Sequence, residues 1–288
     1  MTSQSLTSRA STNRRSKAMV VVTLPVGVPH LDAELRPPTG EDEAWLLEAG
    51  GSLLPVRRTT LLLHRCLLRL GPLAPVPLEA VRDLPVGDRE ALLLHLRRLT
   101  LGEAMPCVLR CPDPGCGERM DLDLRVSDLL ISPTASGQEH HEVVLDGRKI
   151  RFRLPTGGDQ EEAAELAGID PDAAADLLLR RCVGEPPDDL PPFVAERLPG
   201  LMAELDPQAE LTLDLTCPAC GHGFSTIFDA GSHLFQELRN QELRLYREVH
   251  LLAFHYHWSE REILELPGRK RRLYLDLLSE ALGEGGPG

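Results

Sequence analysis

Apolar and polar residues alternate with period two in three short stretches: Met120-Asp-Leu-Asp-Leu-Arg-Val126, Leu211-Thr-Leu-Asp-Leu-Thr216 and Phe224-Ser-Thr-Ile-Phe228. Alternation puts one set of side chains on one face, as in a half-buried strand. Val108-Leu-Arg reads as a fourth strand, so that two antiparallel hairpins emerge. Elsewhere the spacing is helical. Between Val86 and Leu99, leucines at 92, 93, 96 and 99 mark one helix face, with Asp88 as its expected cap. Ser232 is placed to cap a single long helix whose stripe is Leu234, Leu238, Leu245, Val249 and Leu252. Ser259 with Glu262 has capping-box spacing and starts a short helix to Leu266. Pro267-Gly268 breaks it, and a final helix carries Arg269-Lys-Arg-Arg272 in its first turn. Cations there oppose the helix dipole, so the four charges serve an acidic patch of this chain or of a partner, or else form a solvated face.

The pattern also occurs twice. Leu35-Arg-Pro-Pro38-Thr39-Gly40-Glu-Asp42 matches Phe152-Arg-Leu-Pro155-Thr156-Gly157-Gly-Asp159, and Leu61-Leu-Leu-His-Arg-Cys66 matches Leu177-Leu-Leu-Arg-Arg-Cys182. The offset is 117 residues at Thr39 and 116 at Cys66, and it falls to 106 between Cys111 and Cys217. Each unit reads as strand, helix, helix, helix and hairpin. Pro before Thr holds the entering chain extended, and Thr with Asp three residues on is the capping-box spacing. The Pro-Thr-Gly-x-Asp corner lacks the glycines and the lysine of a phosphate loop, so capping is the reading. The expected organisation is a tail at 1–17, a first unit at 18–131, a linker at 132–147, a second unit at 148–231 and a helical extension at 232–288.

Each hairpin turns on a cysteine pair, Cys111-Pro-Asp-Pro-Gly-Cys116-Gly in the first and Cys217-Pro-Ala-Cys220-Gly in the second. A tight Pro/Gly turn aims two sulfurs at one point, and zinc takes four ligands in a tetrahedron. Packing of the two units about a pseudo-twofold axis would bring the pairs into one site. Cys111, Cys116, Cys217 and Cys220 are therefore the candidate ligands of one structural Zn2+ per chain. Two local disulfides, or four plain thiols, are the alternatives. Four thiolates leave no coordination position for water or substrate, which argues against a catalytic metal. Cys66 and Cys182 fall at matching places in leucine-rich helices and read as small core residues. Cys107 has no counterpart in the second unit. His250, His255 and His257 do not share a helix face, and no H-E-x-x-H occurs.

Composition narrows the classes. The 288 residues carry a net charge of −13, which argues against an electrostatic nucleic-acid binder. No run of apolar residues is long enough to span a bilayer. Seven cysteines, an odd number, favour a reducing compartment. Arg14-Arg15-Ser-Lys17 before the apolar run Ala18–Val28 resembles a signal peptide superficially. The run holds Thr23, Pro25 and Gly27 and has no cleavage site, so the expected location is cytoplasmic or within an assembled particle. Met19 is an alternative start.

Four features together resemble a known family. They are the Pro-Thr-Gly-x-Asp corners, Val86-Gly-Asp-Arg-Glu-Ala-Leu92, the knuckle pair, and Leu251-Leu-Ala-Phe-His-Tyr-His-Trp-Ser-Glu260 followed by Arg272-Leu-Tyr-Leu-Asp-Leu-Leu278. The chain is similar over most of residues 31–280 to T4-type phage baseplate proteins, hub components or hub assembly chaperones found in contractile tails and phage-like injection systems. The resemblance implies partners among hub, spike or tube proteins and no enzymatic activity. The expected fold is thus α+β and mostly helical, with a two-fold repeat, a zinc-ribbon-like four-cysteine site and a C-terminal helical extension. A zinc-ribbon protein associated with nucleic acid is the second reading.

Overall fold

The computed structural model describes residues 20–23, 32–48, 50–131, 139–183 and 191–283. The expected tail, the alternative start at Met19 and the proline-rich stretch at 184–190 lie outside them. The fold is a mixed α+β arrangement of helices and small antiparallel sheets. Strands β1 (Val20–Thr23), β2 (Asp32–Leu35) and β3 (Leu67–Leu70) form one antiparallel sheet in that order. Helices α1 (Gly40–Glu48) and α2 (Pro55–Cys66) lie between β2 and β3, and α3 (Leu78–Arg82) and α4 (Val86–Leu101) follow. Next come the hairpin β4 (Ala104–Arg110)–β5 (Arg119–Arg125), the short α5 (Val126–Leu129), and a second hairpin, β6 (His141–Leu145)–β7 (Arg148–Phe152). Helices α6 (Gly157–Ala167), α7 (Pro171–Cys182) and α8 (Pro192–Leu205) lead to the third hairpin, β8 (Leu211–Thr216)–β9 (Gly223–Phe228). The chain closes with α9 (Ala230–Arg239), α10 (Glu242–Tyr256), α11 (Glu260–Leu264) and α12 (Gly268–Gly283).

Helix α4 is the centre of the main core. Leu92, Leu93, Leu94 and Leu96 are all buried, together with residues of β2, β3, α2 and α9. Its leucines therefore do not mark one face; the helix is enclosed on nearly every side. A second, smaller core joins β6 and β7 to α7 and α8 through Leu145, Ile150, Phe152, Leu179, Val194 and Leu198.

Several local expectations are corrected. Residues 141–145, placed in the linker, form β6, because Asp146-Gly147 makes a tight turn with positive φ at both residues and returns the chain along β7. Asp88 does not cap α4; Pro85 occupies that position and Asp88 is fully buried within the first turn. The long helix from Ser232 is two helices. Asp229 caps the first, accepting the Ser232 N–H at 2.8 Å, and Asn240 ends it. The break has a packing cause. Leu234, Phe235 and Leu238 enter the main core, whereas Val249 and Leu252 pack with Ile263 in a separate tail cluster, and one straight helix cannot face both.

The two Pro-Thr-Gly-x-Asp corners are built alike. The buried Asp42 carboxylate accepts the Thr39 N–H at 2.9 Å, Arg36 Nη1 at 2.5 Å and Arg65 Nε at 2.7 Å. The buried Asp159 carboxylate accepts the Thr156 N–H at 2.9 Å, Arg153 at 2.5 and 2.9 Å, and Arg181 Nε at 2.7 Å. Burial acts to raise both carboxyls, but the arginines and the backbone N–H outweigh it and hold both below the ordinary range. Arg36 N–H also donates to the Cys66 carbonyl at 3.0 Å, and Arg153 N–H to that of Cys182 at 2.9 Å.

Each corner receives a second helix start. Gly157 N–H donates to Leu84 O and Gly40 N–H to Leu266 O, both at 3.1 Å. One helical turn further on, the buried Arg89 and Arg271 lie over Gly157 and Gly40. A Cβ on Gly40 would stand 2.7 Å from Arg271 Nη1 and 2.9 Å from the Leu264 backbone, and one on Gly157 would collide with the Arg89 guanidinium. Gly157→Ala is expected to destabilise the fold by about 3 kcal/mol, through overpacking and displacement of a hydrogen-bonded buried arginine. Gly168→Ala, with no neighbour closer than 3.7 Å, is expected to be near neutral in the same urea melts.

Candidate metal centre

Both knuckles are positioned by hairpins in unbroken register. Strands β4 and β5 pair from Ala104–Arg125 to Arg110–Arg119, and β8 and β9 from Leu211–Phe228 to Thr216–Gly223. At each tip the first cysteine closes the turn, Cys111 N–H donating to Glu118 O at 2.8 Å and Cys217 N–H to His222 O at 2.9 Å. Glycine follows the second cysteine in both, with φ of +61° at Gly117 and +74° at Gly221, a conformation that glycine adopts without strain. The two extra residues of the first knuckle are absorbed by Asp113, whose Oδ1 accepts the Gly115 N–H at 2.7 Å.

The four sulfurs converge. Sγ of Cys111 lies 3.7 Å from that of Cys220, Sγ of Cys116 lies 3.8 Å from that of Cys217, and all four fall within 4.8 Å of one another. A tetrahedral ion with metal–sulfur bonds of about 2.3 Å requires sulfur–sulfur edges of about 3.8 Å. All four cysteines are free, so neither local disulfide of the alternative reading is present. Backbone N–H groups of Cys220 and Ala219 draw the Cys217 thiol down to about 7, whereas burial pushes Cys111 up to about 12 and Cys116 is raised despite the Glu118 N–H against it. Cys217 is fully buried and Cys111 nearly so, under Met120, Leu109 and Phe224, while Cys220 is exposed. These residues can hold one metal ion, from one side, with every ligand position filled by protein.

The other singled-out residues lie elsewhere. Cys66 and Cys182 are buried, and burial pushes both thiols up to about 12, out of reach of nucleophilic or ligand chemistry at neutral pH. His250 and His255 flank the exposed Phe254 ring, and His257 ends α10 in the left-handed conformation. Among the described residues, only the four cysteines meet metal-ligand geometry. The aromatic segment at the end of α10 is structural: Trp258 and Tyr256 stack and both meet Tyr274 of α12, while Ser259 and Glu262 form the expected capping box. Arg269–Arg272 divide. Arg271 is buried on Glu43 and Glu248 at 2.6 and 2.9 Å, and the other three face outward or line a cleft. Sequence reasoning missed both buried arginines. Their signal is a shared Leu-Pro-x-x-x-Arg, Leu84-Pro85 to Arg89 and Leu266-Pro267 to Arg271.

Cys107 makes a different contact. Its sulfur lies 3.9 Å from His233 Nε2, which is 3.5 Å from Glu237; Arg97 also clasps Glu237 at 2.7 and 3.0 Å. The Cys107 sulfur and the Glu237 carboxylate raise His233 to about 9. A histidine raised in the folded state contributes stability fully below its unfolded value of about 6.5 and loses it as pH climbs to about 9. Stability in urea is expected to fall by about 2 kcal/mol across that window, and His233→Asn to flatten this limb of the profile.

Among the described residues, helices with four small sheets, two of whose hairpins carry convergent thiols, define a protein with a four-cysteine cluster that could hold a metal ion and would leave it no open ligand position. The particular kinship follows from comparison: the model of the family described as T4 bacteriophage base plate protein matches residues 56–184. Over that stretch the chain is similar to T4-type phage baseplate proteins. The match runs from α2 through α7 and includes Cys111 and Cys116 but not Cys217 and Cys220. No curated protein and no solved structure matches the chain.

Proposed function

We propose that this chain is a non-enzymatic structural or assembly protein of a contractile tail or phage-like injection system, acting on the baseplate hub, and that one Zn2+ held by Cys111, Cys116, Cys217 and Cys220 fixes its shape. The carrying observation is the convergence of four sulfurs at tetrahedral spacing in a chain whose residues 56–184 match the baseplate family. Zinc suits an all-thiolate site better than the harder divalent cations. We further propose that residues 18–131 and 148–231 are two copies of one unit. What supports this is the paired environment of Asp42 and Asp159 and the paired closure of the helices at Cys66 and Cys182. Each unit supplies one knuckle, which accounts for ligands about a hundred residues apart.

The test is affinity purification of the tagged chain from cells assembling the particle, with nuclease present, followed by mass spectrometry and metal analysis. Hub, spike or tube proteins and about one zinc per chain are expected. Recovery of nucleic-acid machinery that nuclease releases, or of no tail protein, would overturn the reading. Presence in the finished particle marks a component; presence only in intermediates marks a chaperone.

A further inference from the structure

Helix α12 is amphipathic and only partly covered. Tyr274 and Leu275 pack on the tail cluster and Arg271 is buried, while Leu273 and Leu277 are 56 % and 48 % exposed. These leucines leave an apolar strip of the 16-residue helix open to solvent. Between α12, α10 and α1 runs a cleft of about 2000 Å³, into which Leu251 and Leu273 face.

The walls of this cleft are cationic in a chain of net charge −13. Arg244, Arg247, Arg269, Lys270 and Arg272 line it with Arg271. Glu43 and Glu248 neutralise Arg271, and Glu248 also holds Arg244 at 3.0 Å. Among the described residues Arg247, Arg269, Lys270 and Arg272 make no ion pair. Burial and the neighbouring Arg244 press on Arg272, lowering its pKa. Arg269 and Lys270 also stand in the first turn of α12, where the helix dipole opposes cations, and Arg272 follows directly. The cluster thus costs the isolated chain stability that an external anion would return.

The charge also selects the occupant. Residues 1–31 hold Arg9, Arg14, Arg15 and Lys17 and no acid, so the chain's own N-terminal segment is repelled. Leucines in the walls, with Glu41, Glu262, Glu265 and Asp276 among the cations, suit an apolar ridge flanked by separate carboxylates and not a continuous polyphosphate. We propose that the cleft between α10 and α12 docks an acidic amphipathic helix of another baseplate protein, its carboxylates meeting Arg247, Arg269, Lys270 and Arg272 and its leucine-type ridge meeting Leu251 and Leu273. That the partner is a baseplate protein rests on the proposed function; the chemistry of the cleft does not.

The test uses the purified full chain and two labelled helical peptides in fluorescence anisotropy. One carries leucines at helical spacing with glutamates between them, and the other has lysines for the glutamates. The glutamate peptide is expected to bind roughly tenfold or more tightly than the lysine peptide, and to weaken as salt rises. Arg247→Glu with Lys270→Glu, both on the exposed surface, is expected to reverse that preference without lowering the melting temperature. Leu273→Ser is expected to weaken the glutamate peptide alone. Equal binding of the two peptides, no binding of either, or indifference to the charge-reversed variant would overturn the proposal. So would displacement of the peptide by a DNA duplex, or a dimer in sedimentation that the same variant disperses, which would make a second copy the occupant. No particle enters this assay, so its failure leaves the baseplate reading standing, and absence of the chain from particles leaves the cleft result standing.

Discussion

Stripping the proposed zinc from Cys111, Cys116, Cys217 and Cys220 with a strong chelator under reducing conditions will collapse the tips of the paired hairpins β4–β5 and β8–β9 and lower the melting temperature sharply. Apparent binding energies for structural zinc in small domains run to about 10–16 kcal/mol, as large as the whole stability of an ordinary domain, about 5–15 kcal/mol. The hairpins have little else at their tips. The cluster there is Cys111, Met120 and Cys217 with Leu109, Cys116 and Phe224 around them, so the ligands themselves are half of the local core. The main core around α4, which holds only the bases of the hairpins through Met105 and Leu211, is expected to retain helical signal. Cys217→Ser, at the fully buried ligand, is expected to match chelation; Cys66→Ser, which touches no ligand, is not. Metal analysis beside scanning fluorimetry checks both. An unchanged melt after complete metal loss would show that the thiols need no ion.

Arg271→Ala is expected to cost about 3–5 kcal/mol and to release the C-terminal helices from the body. The cost comes less from the lost contacts than from what remains. Glu43 and Glu248 are left facing each other without their shared cation at the wall of the cleft, and burial already raises Glu43 despite the arginine beside it. The Arg271 guanidinium also holds the Leu266 carbonyl at 2.7 Å, at the turn that meets Gly40. The measurement is limited proteolysis with a thermal melt: cleavage within 257–270 should accelerate while the main transition shifts down. Adding Glu43→Gln and Glu248→Gln should recover part of the loss, because the orphaned charges are then gone. If Arg271→Ala melts like the parent chain, the buried ion-pair network is not what anchors the extension.

Features governed by nearest neighbours were legible from the residues in order. The period-two runs became β5, β8 and β9, and the Thr–Asp and Ser–Glu pairs became capping boxes at Thr156 and Ser259. The knuckles were readable because two cysteines on a Pro/Gly turn have few other uses. Failures came where a distant surface decided the outcome. Asp88 has the chemistry of a cap, yet α4 is swallowed by the core and its first turn docks on the second corner, so Pro85 starts the helix. The stripe from Leu234 to Leu252 is continuous in sequence, but its two ends answer to different cores. Strand β6 was hidden because a two-residue turn at Asp146-Gly147 was read as part of a polar linker.

The sequence by itself determined the cysteine pairs and their turns, the repeated corner, the helical character of the chain and its acidic charge, since each depends on contacts within a few residues or on composition alone. Only the tertiary structure decided that sulfurs 109 and 101 residues apart meet at 3.7 and 3.8 Å. It alone made Arg89 and Arg271 buried keystones and left Arg269, Lys270 and Arg272 facing outward or into the cleft. These outcomes turn on which surfaces meet, and a charge or thiol takes its role from the partner that packing brings to it.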